Sequence, residues 1–192
     1  MTKSKKAKII DGKLTAQKIK DEIKREVADM IDNDIDAPHL AAILVGDDPA
    51  SQTYVASKEK AAQHVGITSS VYKFPVDITE DEILQTIDFL NNDPEIDGFI
   101  VQLPLPEHID VDKVLNRIDP SKDIDGFHPV NIGRMALGLP AFVSATPAGI
   151  LKLLERYKID TVGKHCVVLG RSNIVGSPVS ILMAKKAYPG NA

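Results

Sequence analysis

Residues 40–45 read Leu-Ala-Ala-Ile-Leu-Val and end at Gly46. A short apolar run without polar alternation, closed by glycine, suits a strand buried on both faces. Such strands belong to parallel sheets covered by helices. The next segment agrees. Asp48 can cap a helix over residues 49–65, with Pro49 at its first position and Gly66 closing it. Residues 67–74 then read as a strand, and Thr79 with Glu82 forms a capping box ahead of Ile83, Ile87 and Leu90. Residues 97–103 predict another strand and 111–118 a short helix. Upstream, apolar residues at 16, 19, 23, 27 and 30 mark one face of a helix over 14–30. Strand and helix alternating over short links predict an α/β fold with a parallel sheet between helices.

The pattern loosens over residues 133–147, where Gly138, Pro140 and Pro147 crowd together. A domain boundary is expected there, dividing the chain into 1–144 and 145–192. Thr146 and Pro147 then start a helix over 148–157, and 164–169 reads as a strand running into Gly170. Gly176, Ser177 and Pro178 open a last helix ending near Tyr188. Cys166, within the apolar part of that strand, is expected to be a buried and inert thiol. As the only cysteine it excludes an intrachain disulfide, which fits a reducing compartment, here the cytoplasm. A net charge of −4, from 23 basic and 27 acidic residues, gives no reason to expect nucleic acid or an anionic membrane as partner. Lys3, Lys5, Lys6 and Lys8 read as a solvated tail, since no apolar stretch of signal-peptide length follows them. No apolar run approaches the roughly 20 residues needed to span a bilayer.

Four places carry residue types suited to chemistry. Gly170 to Gly176 joins a predicted strand to a helix, so backbone N–H groups can face a pyrophosphate. Arg171 adds a guanidinium that can pair with phosphate. An ordinary βα turn with a glycine at each end is the plainer reading. Tyr54 and Lys58 are four apart and so share a helix face, beyond the C-terminal end of the 40–45 strand where ligands of open sheets bind. A lysine desolvated in such a crevice can trade protons near neutrality; an amphipathic surface pair is the alternative. Gln102 is the one polar side chain in the proline-stiffened stretch 101–106. Asp123, Asp125 and His128 invite a metal site, but no paired His spacing supports one, and no metal is expected. Asp125 suits a carboxylate that hydrogen-bonds an amino heterocycle, or else a solvated acidic turn.

Taken in order, five segments resemble one family. They are Ala50 to Lys58 with Gly66-Ile67; Val101-Gln102-Leu103-Pro104-Leu105-Pro106; Lys122 to Phe127; Thr146-Pro147; and Gly170-Arg171-Ser172 with Ile174-Val175-Gly176 and Pro178. The family is that of bifunctional methylenetetrahydrofolate dehydrogenase/methenyltetrahydrofolate cyclohydrolases, and the resemblance runs from about residue 10 to residue 190. It implies an αβα catalytic domain followed by a Rossmann-like nucleotide domain. It implies NADP-dependent oxidation of 5,10-methylenetetrahydrofolate, with NAD less favoured, and hydrolysis of the methenyl product to 10-formyltetrahydrofolate. By resemblance Lys58 is the acid/base group and Tyr54 orients the folate. Gln102 would hydrogen-bond Lys58 and hold it partly neutral, and Asp125 would grip the pterin. Val101 and Leu103 would pack on the ligand, and Gly170, Arg171 and Ser172 would meet the cofactor. A homodimer is implied as well.

Length departs from the family pattern. Only 45 residues (148–192) follow Pro147, whereas a doubly wound domain takes on the order of 100–150. The resemblance therefore implies a nucleotide domain represented by its first part, a longer natural chain, and weak NADP binding by these 192 residues. Two other readings stand beside it. A Rossmann-type dehydrogenase of another small molecule would explain 170–176 alone, and a folate-binding module without turnover would explain the remaining motifs.

Overall fold

The computed structural model describes residue 7, residues 9–187 and residues 189–192. The basic cluster Lys3, Lys5, Lys6 and Lys8, and Tyr188 at the expected end of the last helix, lie outside the described residues. The chain begins with helix α1 (Gly12–Asp32) and then alternates β1 (His39–Val45), α2 (Pro49–Val65), β2 (Thr68–Phe74), α3 (Glu80–Asn92) and β3 (Gly98–Val101). Four helices follow: α4 (Val111–Arg117), α5 (Pro129–Leu137), α6 (Ala145–Arg156) and α7 (Gly176–Ala184).

The fold is α/β around a parallel sheet ordered β2-β1-β3. The chain moves from β1 to one side to make β2, then crosses back over β1 to make β3. Right-handed crossovers in opposite directions place their helices on opposite faces. The two apolar clusters show this directly. Ala41, Ile43 and Val45 of β1 join Ile83, Ile87 and Leu90 of α3 and Val114 of α4. The alternate residues Ala42 and Leu44 pack with Val55 of α2 and Ile100 of β3. A strand of period two thus feeds both layers, and α1 packs outside α2.

Local capping explains the element ends. The Asp48 carboxylate accepts the Ser51 N–H at 2.7 Å, and Gly66 ends α2 in the left-handed conformation. The Thr79–Glu82 capping box is formed in both directions.

Helix α7 ends at Ala184, short of the expected end near residue 188, and four further features differ from expectation. Residues 129–137 form α5 where the pattern looked loose. His128 accepts the Val130 N–H, Pro129 sits in the first turn, and Gly138 closes the helix. Helix α6 starts at Ala145 with Ser144 at its N-cap, ahead of the expected Thr146-Pro147 start. Residues 164–169 form no strand. A strand needs a neighbour to take its ladder bonds, and among the described residues none lies alongside. Val167 and Leu169 are accordingly 67% and 96% exposed. Cys166 is exposed with them, not buried.

Candidate functional site

In a sheet ordered β2-β1-β3 the chain leaves β1 toward one neighbour and later returns to the other. The crevice beyond the C-terminal ends of β1 and β3 is therefore the topological switch point, where open α/β sheets bind ligands. Gln102 stands there. Its backbone N–H donates to Ile43 O at 2.9 Å, extending the β1–β3 ladder one step past β3. Its side-chain Nε2 donates to Leu103 O at 2.7 Å. With the amide nitrogen so engaged, Oε1 is the atom left to face α2, and Lys58 Nζ donates to it at 3.3 Å. The contact joins residues 44 positions apart. The Leu103-Pro104 peptide is cis.

Asp125 comes to the same place from a third segment. With Lys58 and Glu59 it lines a cavity of about 230 Å³ under α2, whose apolar wall includes Val55, Ile100 and Ile124. Burial pushes the Asp125 carboxyl above the usual carboxylate range; the Lys58 charge opposes that shift and the Asp123 charge adds to it. The next residue, Gly126, has a positive φ of 67°. A Cβ there would come within 2.8 Å of Phe142 O and 2.9 Å of Ser144 N, so this turn admits only glycine.

Lys58, Gln102 and Asp125 thus converge. Tyr54 lies one turn before Lys58 on α2, with its ring 62% exposed. Leu103 is half-buried beside Gln102. Val101 is corrected: its side chain is 2% exposed and belongs to the core on the α3 side, so it has no face for a ligand and offers only its backbone. Lys58 is exposed, so the desolvated crevice inferred for it from sequence is not formed. Sequence reasoning weighed Asp123 only for a metal site and set that aside; it is 2% exposed and accepts hydrogen bonds from Phe127 N–H, His128 N–H and Asn131 Nδ2. Its place in the Lys122 to Phe127 motif, directly before Ile124, was the available signal. Asp123 and His128 are both committed to local bonds. Among the described residues no group of three His, Cys, Asp or Glu side chains is placed to hold a metal. A larger hollow of about 620 Å³ lies between β2 and α3, lined by Tyr72, Phe74 and Phe89, but it does not contain this convergence.

The second expected site is the turn from Gly170. It opens onto a cleft of about 740 Å³ lined by Gly170, Ser172, Gly176, Ile150 and Val179, within the usual size of ligand pockets. Gly176 lies so close to Gly170 that a Cβ would stand 2.4 Å from the Gly170 carbonyl oxygen. Ser172 Oγ accepts the N–H groups of Val175 (3.1 Å) and Gly176 (3.3 Å), and Ser172 O accepts that of Ser177 (3.0 Å). Several amides at the start of α7 are therefore held by the turn itself. Arg171 is exposed at its rim. A glycine turn, an exposed guanidinium and an apolar cleft fit part of a dinucleotide.

Residues 10–125 match the family description "tetrahydrofolate dehydrogenase/cyclohydrolase, catalytic domain", and residues 144–191 match its NAD(P)-binding domain. The bifunctional protein FolD of Bacteroides fragilis is 58% identical over 184 residues, which make up 96% of this chain and 63% of that protein. A 5,10-methylenetetrahydrofolate dehydrogenase from the silkworm, Bombyx mori, superposes with a TM-score of 0.92 at 44% identity, covering 96% of this chain and 64% of that one. The methylenetetrahydrofolate dehydrogenase-cyclohydrolase of Trypanosoma brucei, crystallised with NADP cofactor and an inhibitor, gives 0.89 at 35% identity over 94% and 62%. The chain thus spans a little under two thirds of the length of these relatives. Alignment over nearly all of its own length, in both sequence and backbone, makes it a member of the tetrahydrofolate dehydrogenase/cyclohydrolase family.

Proposed function

We propose that this protein acts in one-carbon folate interconversion, oxidising 5,10-methylenetetrahydrofolate with NADP and hydrolysing the methenyl product to 10-formyltetrahydrofolate. What carries the reading is the meeting of Lys58, Gln102 and Asp125 at the switch point of the sheet, from three separate segments. In this reading residues 1–144 form the folate-binding catalytic unit and 145–192 the beginning of the NADP-binding unit. Tyr54 lines the entrance and orients the folate. Asp125 accepts the pterin N–H groups, its burial strengthening those bonds once ionised. Leu103 packs on the ligand, with Val101 contributing only backbone. Gln102 holds Nζ of Lys58 in place. That amine takes a proton as water adds to the methenyl carbon and returns one as the ring nitrogen leaves. Gly170, Arg171 and Ser172 meet the cofactor, and Arg171 at the rim suits the extra phosphate of NADP over NAD. NADP+, when bound, accepts the hydride of the first reaction.

A tetrahydrofolate derivative is the small-molecule partner, with neither nucleic acid nor membrane required. No helix among the described residues is long and apolar enough to cross a membrane. Cytoplasmic location and a homodimer belong to the same proposal, the first supported by the lone cysteine and the second by the family resemblance.

The test compares wild type with Lys58→Met for binding of 5,10-methenyltetrahydrofolate by calorimetry and for its hydrolysis by absorbance. Binding should persist while hydrolysis falls by about 10²-fold or more, the weight of a positioned acid/base group. Hydrolysis by Lys58→Met at the wild-type rate would remove Lys58 from the mechanism.

A further inference from the structure

Asp123 does not face Lys58, yet it is among the most completely buried side chains of the molecule. Its Oδ1 accepts the Phe127 N–H at 3.2 Å, and its Oδ2 accepts the His128 N–H at 2.8 Å and Asn131 Nδ2 at 2.9 Å. Asn131 is itself buried, and the same Nδ2 reaches Pro120 O at 2.8 Å. The Gly126 N–H closes the turn on Asp123 O at 3.1 Å, and the Phe99 N–H donates to Lys122 O at 2.9 Å. The carboxylate therefore ties the 123–128 turn to the first turn of α5, while the backbone at Lys122 holds the start of that turn to β3. Burying a charge is expensive unless every lone pair is met. Here the donors are mainly the backbone of the turn that carries Asp125.

We propose that Asp123 is a positioning residue for the folate site: by closing the 123–128 turn and holding it against α5, its carboxylate sets where Asp125 stands opposite Lys58. This rests on the folate reading given above. A second effect accompanies the geometric one. The fixed negative charge of Asp123 raises the proton affinity of Asp125, adding to burial and working against Lys58. Lys58 and Glu59 of α2 share the cavity with Asp125. Lys122 is turned away, its ammonium on Leu90 O and Asp93 O. Asp119 is engaged by Ser121, His128 by the Val130 N–H, and Arg134 of α5 by Pro140 O. β3 carries no charge.

Asp123→Asn tests this with little change of volume. It removes the charge and leaves one good acceptor where three donors converge. Two readouts are needed: the ¹³C NMR titration of the Asp125 carboxyl, assigned with Asp125→Asn, and tetrahydrofolate affinity by calorimetry. The Asp125 midpoint should move to lower pH, and affinity should weaken about tenfold, as expected for losing hydrogen bonds to a charged group. A folded Asp123→Asn with an unmoved midpoint, or with wild-type affinity, overturns the proposal. Should that variant fail to fold, Asn131→Ser removes one donor and keeps the charge. The Asp125 carboxyl resonance should then shift, and an unchanged resonance overturns the proposal too. If wild type binds no folate, the functional reading fails, and the NMR readout alone still decides whether Asp123 governs Asp125.

Discussion

Asp125 and Lys58 stand in unlike surroundings although they line one cavity. Lys58 reaches into solvent, while Asp125 is half-buried and its carboxyl is raised chiefly by that burial. A carboxyl whose folded value lies above its unfolded one stabilises the fold fully below the ordinary carboxylate range, and this is lost as pH rises through the folded value. At neutral pH the ionised Asp125 is therefore a cost to the fold. Its attraction to an exposed lysine is too well screened to reverse this. Asp125→Asn should leave the Tm at pH 7 equal to or above wild type, with the advantage vanishing near about pH 3, below the ordinary carboxylate range. Tetrahydrofolate affinity should fall in the same variant. Calorimetric melting at both pH values checks this, and a clearly lower Tm at pH 7 would contradict it. A group that weakens the fold where it is charged fits the ligand-binding role proposed for Asp125.

At the level of elements, α2 and α5 follow one grammar: a polar cap, proline in the first turn, glycine just past the end. Asp48, Pro49 and Gly66 made α2 legible in the sequence. His128, Pro129 and Gly138 write α5 in the same way, but Gly133 and Pro140 masked the pattern. The N-terminus of α7 depends on something no such grammar supplies, the contact of Gly176 with the backbone at Gly170 and Arg171. Because those atoms are backbone, they cannot swing aside. Gly176→Ala should cost about 1–3 kcal/mol. Gly133→Ala, which meets nothing within 4 Å in the middle of α5, should gain about 0.5–1 kcal/mol from helix propensity. Urea titrations of the two variants should shift in opposite directions; a matching shift would show that the Gly176 contact carries no strain.

Across the whole molecule, α6 and α7 are anchored to the sheet-bearing part by a few polar contacts. Arg156 grips the Glu22 carboxylate of α1 with both terminal nitrogens. The Asp11 N–H donates to Tyr157 Oη at 2.7 Å, and Lys185 Nζ donates to Met135 O. The expected nucleotide site is less complete than the proposed folate site. Its turn amides are occupied by Ser172, and residues 164–169 lack a strand partner among the described residues. Tested alone, these 192 residues should accordingly bind NADP only weakly, without saturation at micromolar concentration, while they bind tetrahydrofolate. Saturable micromolar NADP binding measured by calorimetry would show that the turn opens to release those amides.

Sequence by itself determined the order of elements from α1 to α4, the caps at Asp48 and Thr79, and the parallel character of the sheet. All of these rest on short-range rules: backbone groups near a chain turn must find partners, and side-chain period tells strand from helix. Only the tertiary structure decided which side each residue faces. Val101 and Gln102 are adjacent, yet strand alternation sends one into the core and leaves the other reaching Lys58. Asp123 and Asp125 are equivalent in composition, yet three converging donors make the first a buried anchor and leave the second to line the cavity. Residues 164–169 have strand chemistry without strand structure, because ladder bonds come from a neighbour and not from the segment itself. Lys58 shows both halves of this. Its spacing from Tyr54 set the shared helix face, and the return of β3 beside β1 supplied Gln102 to meet it.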